Sequence, residues 1–288
     1  MTAGSRPLHA TFWLLEAPDS LAQQSRRNPD GYGIATFKEN GSVELDKRPA
    51  AAYEDEQFAL EARELESPTF LAHVRYASTG AVALENTHPF EQRGRVFAHN
   101  GYLGDLPALE SELGQYLELV RGETDSERFF ALITREIDSH GGDVGAGIVA
   151  AVQWISAELP VFSLNCVLAT PNELWVLRYP DTHRLMMLER GIGGPTGSRH
   201  LDAASPAGTV RVRSGDLGNR AAVIFATEQM DEDPGWRMLE AGALVSVDRD
   251  LRVSSAIAIE APPAHPVRLE DLDPRAARSQ HDQARTGS

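Results

Sequence analysis

Apolar residues along this 288-residue chain gather in short runs bounded by glycine, proline, asparagine and aspartate. Short runs rich in β-branched and aromatic residues predict strands, here at 33–37, 70–76, 95–99, 162–169, 173–179, 184–188, 221–226, 243–247 and 251–259. Punctuation by Pro171-Asn172 and Pro180-Asp181 predicts antiparallel hairpins among the middle strands, and Asp248-Arg249-Asp250 a tight turn between the last two. Between the early and late strands the period changes. Leu106, Leu109, Leu113, Leu117 and Val120 recur at helical spacing behind Asp105 as a candidate N-cap. A second helix is predicted over 126–139, with Thr124 and Glu127 spaced as a capping box and Phe129, Ile133 and Ile137 on one face. A third carries Ile148, Val152 and Ile155. Three consecutive helices between two groups of strands fit neither a βαβ alternation nor a bundle. They predict an α+β fold in which two antiparallel sheets pack together under a cover of helices.

Composition sets the limits of that domain. From residue 261 the chain is rich in proline and mixed charge and poor in apolar residues, too poor to offset the entropy of ordering. One domain over 1–260 and a disordered C-terminal tail over 261–288 are therefore expected. No apolar window approaches a membrane span, and no basic leader precedes a long apolar region, so no secretory signal is expected. The net charge of −15 repels polyphosphate and argues against nucleic acid or a membrane surface as partner; a small molecule or another protein fits better. Cys166 is the single cysteine, which excludes an internal disulfide and a thiolate zinc cluster and points to a reducing cytoplasm.

Several familiar patterns fail. Gly191, Gly193 and Gly197 have the wrong spacing for a dinucleotide fingerprint, and Pro195 would interrupt the helix that must follow. Gly145-Ala146-Gly147 with Ala150 matches G-x-G-x-x-A, but a helix rather than a strand precedes it. No Walker loop, H-E-x-x-H or G-x-S-x-G occurs, and the nine histidines lack metal-ligand spacing. No cofactor or metal is called for.

What stands out is the polar density between residues 73 and 127. H-x-R-Y-A-S at 73–78, N-x-H-P-F at 86–90, H-N-G at 99–101 and T-D-S-E at 124–127 follow one another in that order, with D-G-Y-G at 30–33 upstream. In order and spacing these resemble the glutaminase domain of the class II glutamine amidotransferases, of the N-terminal nucleophile hydrolase superfamily. The stand-alone members, including the γ-glutamyl hydrolase of ergothioneine biosynthesis, are similar in size. The resemblance implies a four-layer αββα sandwich and attack on the side-chain amide of glutamine or of a γ-glutamyl compound.

The residue types suit that chemistry. An amino acid substrate presents an α-carboxylate and an α-ammonium, for which a guanidinium fork and an anion are the natural receptors; Arg75 and Asp125 supply these types, and the resemblance assigns them those roles. Amide cleavage passes through an oxyanion that needs donors fixed beforehand; by resemblance these are the Asn100 side-chain amide and the Gly101 N–H. Tyr76 and His88 are expected beside the substrate. Each residue also has a bland reading: Asn-Gly as a hairpin turn, Asp125 as a helix cap or a dipole partner, Arg75 in a surface ion pair, His88 packed and hydrogen-bonded within an extended loop, and His73 and His99 as satisfied strand histidines.

One departure matters. The family's nucleophile is a cysteine that becomes residue one after methionine removal, its own amine acting as base, whereas this chain starts Met1-Thr2-Ala3-Gly4. The leading expectation is a start placed some six or seven codons late, or a trimmed chain. The alternatives are a pseudoenzyme that binds γ-glutamyl compounds or serves as a scaffold, and an N-terminal Thr2 nucleophile. Cys166, in the apolar run FSLNCVLA, reads as an inert core residue. The expected partners are the small-molecule substrate and, in one case, a separate subunit that accepts ammonia.

Overall fold

The computed structural model describes residues 1–2, 4, 6–192, 201–204, 211–214 and 220–284. In chain order its strands are β1 (Leu8–His9), β2 (Gly31–Phe37), β3 (Val43–Arg48), β4 (Glu66–Ser67), β5 (Phe70–Arg75), β6 (Phe90–Gln92), β7 (Arg95–Leu103), β8 (Pro160–Ala169), β9 (Glu173–Leu177) and β10 (Met186–Arg190). They continue with β11 (Leu201–Ala204), β12 (Arg211–Ser214), β13 (Ala222–Ala226), β14 (Arg237–Met238), β15 (Ala243–Asp248), β16 (Val253–Ile257) and β17 (His265–Pro266). The helices are α1 (Leu21–Gln24), α2 (Glu56–Glu64), α3 (Leu106–Leu113), α4 (Asp125–Ser139), α5 (Val144–Glu158) and α6 (Pro274–Ala284).

Four layers result. One sheet runs β16-β15-β9-β8-β7-β6, with β17 added beside β8. Its outer face carries α3, α4 and α5, whose Leu109, Phe129, Phe130, Ile133, Val152 and Ile155 are buried with Phe97 and Leu164 of the strands. The second layer holds the trios β3-β2-β5 and β13-β10-β14, bridged at Thr2, which pairs with Thr69 on one side and Val223 on the other. The two layers meet through Ala35, Leu71, Val96, Val176, Met187 and Val245. Outside the second layer, Phe12, Trp13 and Phe58 of the helical segments pack on Tyr32, Phe70 and Ile224. Burial of such apolar area is the main favourable term in folding. Gly147 of α5 lets α4 approach closely, since a Cβ there would stand 2.4 Å from Ile137. The G-x-G-x-x-A pattern thus serves helix packing.

All nine expected strands form, with ends shifted by a few residues, and so do the three helices. Two expectations need correction. The run 184–188 does not pair with 173–179: the free edge of β9 is taken by β15, with Leu244 opposite Leu177, while β10 crosses to the other layer and pairs with β13. Arg178 holds the crossing, buried and donating to the carbonyls of His183, Leu239 and Asp181. Proline punctuation marks a change of direction without saying whether the chain returns to the same sheet.

The predicted disordered tail is the second. His265 and Pro266 pair with Pro160 and Val161, and α6 follows, with Leu272 and Ala276 buried against Phe162. Sparse apolar residues suffice because they are placed on one face; mean composition hides this. Residues 285–288 of that tail, and 193–200 with most of the glycine run, lie outside the described residues.

Candidate active site

Arg75 ends β5, and the buried guanidinium donates to the carbonyls of Thr79 (2.7 Å) and Ala81 (3.2 Å). It therefore shapes the following loop. The D-G-Y-G segment supports this strand end. The Asp30 carboxylate accepts from the Ala77 N–H at 2.8 Å, and the Asp30 N–H donates to the Arg75 carbonyl at 2.9 Å. Gly33 is required by close approach: a Cβ would stand 2.3 Å from the His88 carbonyl oxygen and 2.8 Å from Pro89. Burial lowers the pKa of Arg75, Asp30 and Asp125 raise it and Arg275 lowers it further; an arginine remains a cation under such shifts.

Asn86 ties the same loop to the helix that bears Asp125. The side-chain amide donates to the Ala81 carbonyl and accepts from the Glu123 N–H at 2.7 Å. Thr124 caps α4 by accepting from the Glu127 N–H at 3.2 Å, while Glu127 reaches back to the Gly122 N–H rather than to the cap residue. Asp125 is thus not the cap. It is the first helical residue, buried, and accepts from the Leu103 N–H at 3.1 Å and the Ser126 N–H at 2.9 Å. A carboxylate at a helix N-terminus interacts favourably with the aligned peptide dipoles.

Asn100 and Gly101 lie within β7, opposite Asn165 and Leu164 of β8, and form no turn. A Cβ on Gly101 would stand 2.0 Å from the Ser163 carbonyl oxygen, so only glycine fits. The Gly101 carbonyl accepts from Gln280 and the Leu103 N–H donates to Asp125. In an extended strand the N–H and C=O of one residue leave by the same edge, so the Gly101 N–H faces the Gln280 side.

Arg75, Tyr76, His88, Asn100, Gly101 and Asp125 all line one cavity of about 220 Å³. Sequence reasoning gave four other groups there no role at the site. Ser126 bonds His99 Nδ1 at 2.9 Å while His99 Nε2 meets the Ser163 carbonyl at 3.0 Å. The carbonyl can only accept, so Nε2 carries the proton and Nδ1 accepts from Ser126. His73 is not fully satisfied, for buried Nδ1 has no partner; the ring stacks on His88 at 4.3 Å, and burial with Arg75 nearby lowers its pKa to about 3. Among the described residues neither ring nitrogen of His88 has a partner, and burial keeps it neutral, its pKa well below the usual histidine value. Gln280, from the supposed tail, is the fourth. Cys166 also reaches the cavity wall, but burial pushes the thiol up to about 12, so it is no nucleophile at neutral pH.

Comparison with known proteins gives one consistent result. The family described as glutamine amidotransferases class-II matches residues 18–267. The probable glutamine amidotransferase DUG3 of Saccharomyces cerevisiae is 29% identical over 48% of this chain and 42% of its own length. The putative glutamine amidotransferase YafJ of Escherichia coli is 32% identical over 74% of this chain and 82% of its own. This chain spans well under two thirds of the yeast protein. Among solved structures, a glutamine aminotransferase class-II domain protein from Silicibacter pomeroyi superposes with a TM-score of 0.53 at 20% identity, over 79% of this chain and 90% of its own.

Proposed function

This chain belongs to the class II glutamine amidotransferases, with their α+β N-terminal nucleophile hydrolase fold, and we propose that it cleaves glutamine or a γ-glutamyl amide through a thioester, using a thiol that precedes Met1. Arg75 binds the substrate α-carboxylate and Asp125 the α-ammonium, with Tyr76 and His88 against the glutamyl chain. Fixing both ends of the amino acid leaves the side-chain amide in one place, which provides proximity as well as selectivity. The sulfur attacks the amide carbon, and the oxyanion forms against the Asn100 side-chain amide and the Gly101 N–H. The carbon–nitrogen bond then breaks, the nitrogen takes a proton and leaves as ammonia or an amine, and water cleaves the thioester to release glutamate and the thiol.

The observation that carries this reading is the register at Thr2. Thr2 pairs antiparallel with Thr69, and Met1 exchanges both backbone hydrogen bonds with Phe70. Each step back from Met1 is one step forward along β5, so the fifth residue before Met1 falls opposite Arg75. The edges of β5 and β13 that flank this path are bridged, among the described residues, only through Thr2. A peptide continuing there would pair on both sides. The buried Met1 amine is a poor occupant of the same slot as a cation, since burial lowers its pKa to about 5. A Thr2 nucleophile is not favoured: the hydroxyl bonds the Thr69 hydroxyl and the Gly4 N–H, and Thr2 is not among the cavity-lining residues.

Among the described residues no helix is long and apolar enough to cross a membrane, and the single cysteine favours a cytoplasmic setting. Ammonia is either released or passed to a separate subunit. Glutamate release from glutamine and γ-glutamyl peptides, measured for this chain and for a form extended by a cysteine-led strand, tests the reading. Release by the extended form alone is expected. Release by neither favours a γ-glutamyl-binding protein, and release by the unextended chain that is lost in Thr2→Ala favours the threonine.

A further inference from the structure

Helix α6 lies beyond the family match, which ends at residue 267, yet it forms part of the wall of the cavity. Ser279 and Gln280 line it together with Asn100, Gly101 and Asp125. Gln280 is only 4% exposed. Its amide Nε2 donates to the Gly101 carbonyl at 3.2 Å, and Oε1 accepts from His183 Nε2. One side chain thus links the strand that bears the Asn100–Gly101 corner to the crossing between the two sheets. The helix is fastened by a small contact, Leu272 and Ala276 on Phe162 with Tyr102, Val267, Leu269 and Ala277 around them. Asp273 caps it through the N–H groups of Arg275 and Ala276.

We infer that Gln280 is the specificity-determining residue on the leaving-group side of this amidase site, and that α6 restricts the substrate to small leaving groups, ammonia above all. The inference rests on the proposed amide cleavage. The Gly101 N–H and C=O leave β7 by one edge, so a donor seated on the carbonyl stands beside the place where the oxyanion forms. The departing nitrogen is bonded to the same carbon as that oxygen. A hydrogen-bearing nitrogen fits next to the Gln280 amide, whereas an aryl or peptidyl substituent on it meets that side chain and the helix behind it. The hydrogen bond has a second effect: it fixes the Gly101 carbonyl and with it the orientation of the neighbouring donor. A pocket wall that rejects by steric contact discriminates by roughly one to two orders of magnitude.

The test uses the full chain carrying the cysteine-led extension, with glutamine and L-γ-glutamyl-p-nitroanilide as the two substrates. Gln280→Ala is expected to raise kcat/KM for the anilide relative to glutamine about tenfold or more. Gln280→Met, similar in volume, keeps the parental preference but lowers kcat for glutamine, because the hydrogen bond to Gly101 is lost. Ala276→Arg, which forces α6 off Phe162, reproduces the shift in preference without touching Gln280. An anilide-to-glutamine ratio unchanged in both Gln280→Ala and Ala276→Arg, in an active parent, overturns the role of Gln280 and α6 alone. A parent that hydrolyses neither substrate overturns the amide-cleavage reading and this inference with it.

Discussion

The Asp125 carboxylate accepts a hydrogen bond from the Leu103 N–H at 3.1 Å, which ties the first turn of α4 to the end of the strand that bears Asn100 and Gly101. The distance from the proposed ammonium receptor to the proposed oxyanion corner is therefore set by one side chain and two backbone residues. Asp125→Asn preserves an acceptor for Leu103 but removes the negative charge. A loss of at least about tenfold in kcat/KM for glutamine is expected, because charge-assisted bonds are roughly twice as strong as neutral ones, with a smaller loss of stability than in an alanine variant, since the single amide oxygen keeps one of the two N–H partners. Asp125→Ala leaves buried N–H groups unpaired and should also lower stability by about 1–3 kcal/mol. Chemical unfolding of the two variants beside the parent separates these effects.

Arg75 performs two tasks, binding the loop carbonyls of Thr79 and Ala81 and facing the cavity. A lysine keeps the charge but has no planar fork with which to meet two carbonyls and a carboxylate together. Arg75→Lys should raise KM for glutamine by about tenfold or more and speed hydrogen exchange in residues 78–86, where Asn86 and the Ala81 N–H bond to Glu123 still hold the loop. Exchange unaltered in that loop would place the loop under other control.

Gly101 in β7 and Gly104 just past its end make a clean contrast. At Gly101 a Cβ would meet backbone, the Ser163 oxygen at 2.0 Å, whereas at Gly104 it would approach only side chains, Pro160 at 3.3 Å and the Tyr102 hydroxyl at 3.6 Å. Gly101→Ala should abolish turnover and cost about 2–3 kcal/mol through displacement of β7 from β8. Gly104→Ala should stay within about 1 kcal/mol of the parent and remain active. Urea denaturation with parallel assays reads both.

Acid stability follows from the buried histidines. His88 and His99 are 5% and 3% exposed; burial lowers the pKa of both, and it lowers that of His73 to about 3. Asp125 pulls His99 partly back up, while His73 and Arg75 push His88 further down. The unfolded chain binds these protons near pH 6.5 and the folded chain resists them, so their contribution is complete above that pH and is lost as the pH falls through each lowered folded-state value, about 3 for His73. Each group changes stability by about 1.4 kcal/mol per pH unit within its window. Urea midpoints should fall steeply from pH 6.5 to 4, and His88→Asn should flatten the slope by about one proton. An unaltered slope would mean that His88 titrates normally.

Much of the site was legible because its residues occur as short motifs in which each member has a local structural task. Gly33 admits the His88–Pro89 segment, Asn86 bonds Glu123, and Thr124 caps α4. The local readings were often wrong all the same. Asn-Gly suggested a turn where β7 continues, and of the two local readings of Asp125, cap or dipole partner, the position in the first turn behind Thr124 fits the second. At Asn-Gly a contact distant in sequence overrides local preference. The crossing from β9 to β10 and the docking of α6 were not legible for the same reason. Gln280 meets Gly101 across 179 positions, and nothing in the polar run around it marks that partner. The His99–Ser126 bond is a milder case, visible only once β7 and α4 are adjacent.

The central claim is that a strand ahead of Met1, in register with β5, brings a thiol to Arg75, Asp125 and the Asn100–Gly101 corner. Its most direct test is the rate of glutamate release from glutamine by a series of forms that begin with cysteine three, four, five, six, seven and eight residues before Met1. The account predicts a sharp maximum at five or six, where the register reaches Arg75 and Tyr76, and at least about a hundredfold less at three and eight. Release that is absent at every length, or indifferent to length, would contradict it.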